Sequence, residues 1–362
     1  MTTPLARVLL DRIAATGPVT FDDFMRVCLY DPEHGYFATG PLRSAASGDF
    51  LTSPEVSPWF GRTLARSVAA TRRPRARRLS VVEVGAGSGS LLRPLLAELG
   101  EDVDVHAVEV SPAARDALAG IAGVAVHQRL EDVPPATDTV IIANELLDNL
   151  PAALAVRCGP GWEERHVGIV DGALTLIAAH PRPEVVTWAD RFSGPVEEGG
   201  VVEVQLEASR WVTKALRRIR HGALLAFDYG GTANELSGRR TEGTVRTYRG
   251  HHLGPDPLLE PGATDITMDV NFTAVLAAAT AAGARGELVT QAEFLNRWGL
   301  GDELARLADE ERTLAVGGAP MERLRTRSEH TDASTLLHPR GLGDFRVLLA
   351  TVGQGGLPEA GR

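Results

Sequence analysis

The stretch at residues 79–109, LSVVEVGAGSGSLLRPLLAELGEDVDVHAVE, constrains the fold more than any other. Residues 81–84 are β-branched apart from Glu83, which suits a strand buried on both faces of a parallel sheet. Glycines follow at 85, 87 and 89. Leu91, Leu92, Leu95, Leu96 and Leu99 then repeat at helical spacing, and Gly100 ends the helix. Residues 103–108 form the next strand, with Glu109 at its C-terminal end. A strand, a glycine turn, a helix and a parallel strand predict a doubly wound α/β sheet with its ligand at the carboxyl ends of the strands.

Glycines at this turn let the backbone approach a ligand beside a helix N-terminus, and a terminal carboxylate such as Glu109 can grip two ribose hydroxyls. NAD sites use G-x-G-x-x-G. Here the turn is Gly85-Ala86-Gly87-Ser88-Gly89, preceded by Glu83, which resembles the first motif of class I S-adenosylmethionine (SAM) methyltransferases. The plainer alternative is a tight turn with no ligand, and it leaves the joint presence of Glu83 and Glu109 unexplained.

The remaining composition mostly excludes. A length of 362 residues and 44% hydrophobic content support one large domain with insertions, or two domains. A net charge of −10 argues against general nucleic-acid binding. Cys28 and Cys158 are unpatterned, so neither a metal site nor a disulfide framework is indicated, and a reducing cytoplasm is expected. No apolar run has membrane-span length, and the N-terminus lacks a signal-peptide profile. The sequence does not fix an oligomeric state; a homodimer is one option.

In chain order, a front segment covers residues 1–76. Its first amphipathic helix ends at Gly17, Thr20 caps a second, and Ser53 followed by Pro54 opens a third containing Trp59, Phe60 and Leu64. Its aromatic loops read as a lid or substrate wall, or equally as plain packing of a helical subdomain. An arginine run (Arg72, Arg73, Arg75, Arg77, Arg78) marks the boundary to a core over 77–352. Strands are expected at 124–127, 139–143, 223–227, 286–289 and 345–352, and helices at 206–219 and 267–282. Alternating apolar residues within 153–204 predict an inserted antiparallel β-hairpin arm. A second irregular insertion spans 231–266, and residues 353–362 form a flexible tail.

The chemistry concentrates at Asn144-Glu145-Leu146-Leu147-Asp148, just after the fourth strand. Gly85, Glu109, Asn144 and Asp228 all end strands and so line one edge of the sheet. Glu145 and Asp148 are spaced i, i+3, which puts both carboxylates on one face if a helix starts there. Two carboxylates beside a SAM methyl group suit a cationic acceptor such as a guanidinium, whose forked donors match them. Helix capping is the alternative role for either acid. Arg246, Arg249 and Asp265 could hold the methionine carboxylate or a substrate backbone. Residues 129–131 follow the third strand, where the adenine ring commonly lies in this fold.

At these residues the chain resembles the MidA family of SAM-dependent methyltransferases. The matching strings are LYDPEHGYF, GDFLTSPEVSPWFG, VVEVGAGSGSLL, VEVSP, ANELLDNLP, FDYG, GTVRTYRGH and TQAEFL, across residues 20–350. The resemblance implies a class I Rossmann-like fold with a mixed seven-stranded sheet. It also implies SAM as cofactor, protein arginine methylation, and closure of Thr52, Ser53, Pro54, Glu55 and Asn144 over cofactor or substrate. Within the family's D-[IL]-T-A-H-V-D-F-T, Asp269 stands for a histidine and Asn271 for an acid, and near the C-terminus the family's MGExFKVL appears as Leu342-Gly343-Asp344-Phe345-Arg346-Val347-Leu348; these changes bear on substrate identity.

The expected cofactor set is Glu83, Gly85, Ala86, Gly87, Gly89, Glu109, Val110, Leu130, Glu131, Asn144, Ser53 and Pro54. The expected catalytic set is Glu145, Asp148 and Asn144. Tyr36, Glu55, Asp228, Tyr229, Arg246 and His251 are expected on the substrate side, and no metal is expected. The expected function is methylation of an arginine in a protein substrate, without a nucleic-acid or membrane partner. A small-molecule methyltransferase and a non-catalytic SAM-binding assembly factor are the alternatives.

Overall fold

The structure is a computed structural model, and it describes residues 3–39, 42, 52–73, 78–238, 241–249 and 252–353. Its centre is a seven-stranded sheet. In chain order the strands are β1 (Leu79–Val84), β2 (Val103–Val108), β3 (Val124–His127), β4 (Asp138–Asn144), β5 (His221–Asp228), β6 (Arg285–Thr290) and β7 (Arg346–Val352). Their spatial order is β3-β2-β1-β4-β5-β7-β6. All neighbours run parallel except β7, which is antiparallel to both β5 and β6. The chain leaves β1 for β2 on one side, and β4 lies on the other. This reversal opens a crevice above β1 and β4, where doubly wound sheets bind ligands.

Every residue of β1 is buried because both faces are covered. Val81 faces a layer containing the helices Trp59–Ala70 and Leu92–Leu99. Val82 and Val84 face the opposite layer, built on Leu206–Leu216 and Phe272–Ala281. Burial on both faces is why this strand reads as a continuous apolar run.

The insertion after β4 is larger than a hairpin. Ala153–Cys158, Gly161–Val170, Ala173–Ala179 and Val201–Val204 form an antiparallel sheet with Val19–Thr20. The helix Pro183–Phe192 packs on it. The front segment is divided between two cores. Leu5, Leu9, Phe24, Leu29 and Tyr36 pack with Leu154 and Val167 of the arm, whereas Phe60 and Leu64 belong to the main-sheet core. Arg182 ties arm to front segment by donating to Asp22 and to the fully buried Glu164.

Local chemistry shifts several expected boundaries. The short helix Ser53–Val56 is capped by Thr52 rather than Ser53, with Glu55 closing a capping box. Ser57 is extended ahead of Pro58, so Trp59–Ala70 is a separate helix. The helix expected from residue 267 begins at Phe272. Asp265–Thr267 and Val270–Asn271 are short strands before it. Asn271 caps this helix by accepting from the Ala274 amide, and its Nδ2 donates to the Phe192 carbonyl at 2.8 Å, which accounts for one departure from the family pattern. In the arginine run, Arg72, Arg73 and Arg78 pair with Asp102, Asp138 and Asp104 at the edge of the sheet. Arg75 and Arg77 lie outside the described residues.

Candidate active site

Two adjoining cavities open above the carboxyl ends of β1, β2 and β4. The larger, about 400 Å³, is lined by Gly85, Gly87, Glu109, Val110, Leu130 and Glu131 from the sheet side. Arg26, Tyr30, Phe37 and Thr39 line it from the front segment, and Trp211 and Lys214 from the helix Leu206–Leu216. The smaller, about 180 Å³, is lined by Tyr36, Thr52, Pro54, Glu55, Glu83, Ala86, Asn144, Glu145 and Asp265, among others. Gly85, Gly87, Phe37 and Glu145 border both.

The glycine turn makes this junction. Gly85, Gly87 and Gly89 have φ of 75°, 50° and 77°, in the left-handed region that side chains disfavour. A Cβ on Gly87 would meet nothing within 4 Å, so its backbone faces open cavity. Gly89 differs: a Cβ there would lie 2.5 Å from Ile121 Cδ1, so this glycine serves close packing and lines neither cavity. Glu109 is fixed at the end of β2 by the Gly87 amide at 2.9 Å and the Ser111 amide at 2.8 Å. Glu83 is buried with Oε2 lacking a hydrogen-bond partner. Burial, and then the neighbouring Glu109, raise its pKa well above the carboxylate range.

After β4 the chain turns sharply. The Glu145 amide donates to the Phe227 carbonyl at 2.8 Å, and Glu145 itself then adopts φ 51°. A non-glycine residue held in this conformation needs support from its surroundings. The expected helix does not start here; a single 3₁₀ turn, Leu147–Asn149, follows instead. Asp228 explains why: its carboxylate accepts from the amides of Leu147 at 2.9 Å, Asp148 at 3.3 Å and Tyr229 at 3.0 Å, and it is fully buried. Asp228 therefore holds the loop from beneath and does not face the cavities as the sequence reading expected.

Glu145 accepts from Asn144 Nδ2 at 3.1 Å and from the Ser53 amide. Its pKa is pushed up to about 8 by burial and then by Asp148. Asp148 is raised to about 6, first by burial, while the hydrogen bond from the Tyr229 hydroxyl opposes the rise. The oxygens Asn144 Oδ1 and Asp148 Oδ1 are buried without partners. Tyr30 Oη donates to the Asn149 carbonyl at 3.2 Å, joining the front segment to this loop.

Other expected residues sit differently. Ser53 is fully buried, and its hydroxyl donates to Gln291 Oε1 at 3.1 Å, so it reaches the site through its amide. Glu131 pairs with Lys214 across the larger cavity. Tyr229 and Arg246 border a separate cavity behind Asp148, and His251 lies outside the described residues. Phe37 belongs to the aromatic front-segment loop read as a lid or substrate wall, whereas the sequence alone does not point to Arg26, Thr39, Trp211 and Lys214. They reach the larger cavity from elements distant in sequence, so no local pattern announces them. No cluster with metal-ligand geometry occurs among the described residues.

The donor set fits SAM. Four carboxylates and no basic side chain line the smaller cavity among the described residues, which suits a ligand carrying ammonium and sulfonium charges. The family model described as S-adenosyl-L-methionine-dependent methyltransferase matches residues 59–289. The chain belongs to this family. A Burkholderia thailandensis methyltransferase-like protein, crystallised with S-adenosyl-homocysteine, superposes with a TM-score of 0.85 at 30% identity, covering 98% of this chain and 94% of its own. The protein arginine methyltransferase NDUFAF7 of Xenopus tropicalis is 30% identical over 85% of this chain and 78% of its own length. The Homo sapiens protein is 30% identical over 87% and 77%.

The protein is thus a SAM-dependent methyltransferase with a class I α/β fold. These NDUFAF7 relatives are named mitochondrial, which overturns the expectation of a cytoplasmic protein drawn from cysteine usage. Cysteine usage reports a reducing environment rather than a compartment.

Proposed function

We propose that the protein methylates an arginine guanidinium of a protein substrate at the smaller cavity. The observation that carries this reading is the part of its lining left once Glu83 takes the cofactor's methionine end: Glu55, Glu145 and Asp265, with no basic side chain among the described residues. A guanidinium entering there meets planar acceptors matched to its fork of donors. The names of the NDUFAF7 relatives support the same substrate class.

In this reading Gly85, Ala86 and Gly87 let the backbone approach the cofactor, and Glu109 holds its ribose hydroxyls. Val110 and Leu130 flank the adenine, and the unpartnered Glu83 faces the methionine end. SAM, when bound, supplies a methyl group on a sulfonium that leaves as a neutral thioether. Glu145 holds one guanidinium nitrogen at the cavity wall, and that nitrogen attacks the methyl group; Asp148, buried behind Glu145 and lining neither cavity, adds its charge from there. Glu145, with its raised pKa, takes the proton that this nitrogen loses. Asn144 orients Glu145. Glu55 and Tyr36 wall the substrate side, and most of the acceleration comes from in-line alignment.

Mass spectrometry of short peptides incubated with the protein and SAM tests this. One or more methyl increments on arginine are expected, and none when that arginine is replaced by lysine. Methylation of the lysine peptide, or of small metabolites alone, would contradict the reading.

A further inference from the structure

Behind Asp148 lies an array that the proposed reaction does not use. The Tyr229 hydroxyl donates to Asp148 Oδ2. The Arg246 guanidinium lies over the Tyr229 ring, with Cζ 5.2 Å from its centroid. Arg246 Nη2 in turn donates to Asp269 Oδ1. Asp269 is almost fully buried and is fixed through its backbone: its amide donates to Thr244 Oγ1 at 3.1 Å, and its carbonyl accepts from Gln205 Nε2 at 2.8 Å. Asp269 is also the position where the sequence replaces the family's histidine with an acid.

We propose that Arg246 and Asp269 are positioning residues that set the charge of Asp148 through Tyr229, and so set the pH range in which the substrate guanidinium is held. This rests on the reading of Glu145 as the guanidinium-holding carboxylate, with Asp148 as the buried charge behind it. The groups facing Asp148 are few. Glu145 precedes it, Asp228 lies beneath it, Tyr229 bonds to it, Tyr30 approaches from the front segment, and Asp265 reaches its neighbour Asn149. Glu145, Asp228 and Asp265 are acids that, when ionised, oppose a second negative charge. Arg246 is a cation acting on Asp148, and it favours ionisation through space across the Tyr229 ring rather than by direct pairing. Asp269 tempers that cation. The array is therefore graded: removing the cation and removing its counter-ion push Asp148 in opposite directions.

The experiment measures kcat/KM for an arginine peptide against pH in wild type, Arg246→Gln and Asp269→Asn, with S-adenosyl-homocysteine affinity as a control. Glu145, at about 8, sets the upper part of the acid limb, so the readout is its lower, steeper part, where Asp148, at about 6, also protonates; loss of the cation in Arg246→Gln is expected to move this part to higher pH by about one unit. Asp269→Asn leaves Arg246 charged but unneutralised, and is expected to move the limb to lower pH. A purely structural role would lower the rate without opposite displacements. Unmoved limbs, or shifts of both variants in the same direction, would overturn the proposal.

If Arg246→Gln folds poorly, the Asp269→Asn arm still decides. Methylguanidinium can also be added to an Arg246→Ala variant, because a cavity of about 300 Å³ lined by Arg246, Tyr229, Tyr248 and Arg340 gives it access. Restoration of the wild-type limb by the additive supports the proposal, and a limb that ignores it counts against it. A wild type that binds S-adenosyl-homocysteine but never methylates the peptide would instead defeat the underlying functional reading.

Discussion

Gly87 offers a clean separation of backbone strain from ligand contact, because the chain supplies its own control. Gly87 and Gly159 have φ of 50° and 53°, and a Cβ on either would meet nothing within 4 Å. Gly159 sits in the turn between the arm strands Ala153–Cys158 and Gly161–Val170 and lines neither cavity. Alanine at either position must hold the left-handed conformation, at a cost of about 1–2 kcal/mol. Both variants should therefore melt slightly below wild type, by about 1–3 °C. Only Gly87→Ala also projects a methyl group into the cavity junction, where it crowds a closely seated ligand at about 1–3 kcal/mol. Calorimetry with SAM should show affinity weakened about tenfold or more in Gly87→Ala and unchanged in Gly159→Ala. Cofactor added during melting should stabilise Gly159→Ala as it does wild type, and Gly87→Ala less. Equal affinities in the two variants would refute the assignment of the glycine turn to the cofactor.

Further outcomes follow from the buried charges. The raised pKa of Glu145 means that its carboxyl is protonated in the folded chain where the unfolded chain has already ionised it. Stability should fall as pH rises from about 4.5 to about 8, and melts of Glu145→Gln across that range should lack this component. The same ionisation should make kcat/KM for an arginine peptide rise with pH until about 8, and a flat pH–rate profile would deny Glu145 a proton-accepting role. Arg182→Met strands the fully buried Glu164 without its main partner. Urea titration should show a loss of about 3–5 kcal/mol; a loss below about 1 kcal/mol would show that the arm and front segment do not depend on this contact.

Much of the central sheet is legible in the sequence because the inner strands β1 and β4, buried at every position, are apolar runs, while β2 and β3 place apolar residues at every second position. The expected 103–108 and 124–127 strands coincide with β2 and β3. The glycine turn and the terminal carboxylate of β2 are local features, so the crevice above β1 could be located without coordinates. The loop after β4 could not. Its acids sit at helical spacing, but Asp228, some 80 residues away, captures the amides of Leu147 and Asp148 and stops a helix from forming. The Thr52–Glu55 capping box was written in the sequence as T-x-x-E, yet Ser53-Pro54 competed as a plausible helix start. The larger cavity's far wall was illegible for a different reason. Arg26 and Trp211 look like ordinary helix residues until the front segment folds against the arm and the helix Leu206–Leu216 packs on the main sheet, which brings both to one cavity with Glu109. Arg246 was expected near the substrate; it stands one layer back, screened by Tyr229.

The account depends on a guanidinium being held by Glu145, with Asp148 behind it, while the cofactor's methyl faces it. Single-turnover transfer from prebound SAM to an arginine peptide, in wild type and Glu145→Gln, tests this most directly. The account predicts that the substitution abolishes transfer with cofactor affinity intact. Transfer at the wild-type rate, or loss of cofactor binding with Glu145 replaced, would contradict it.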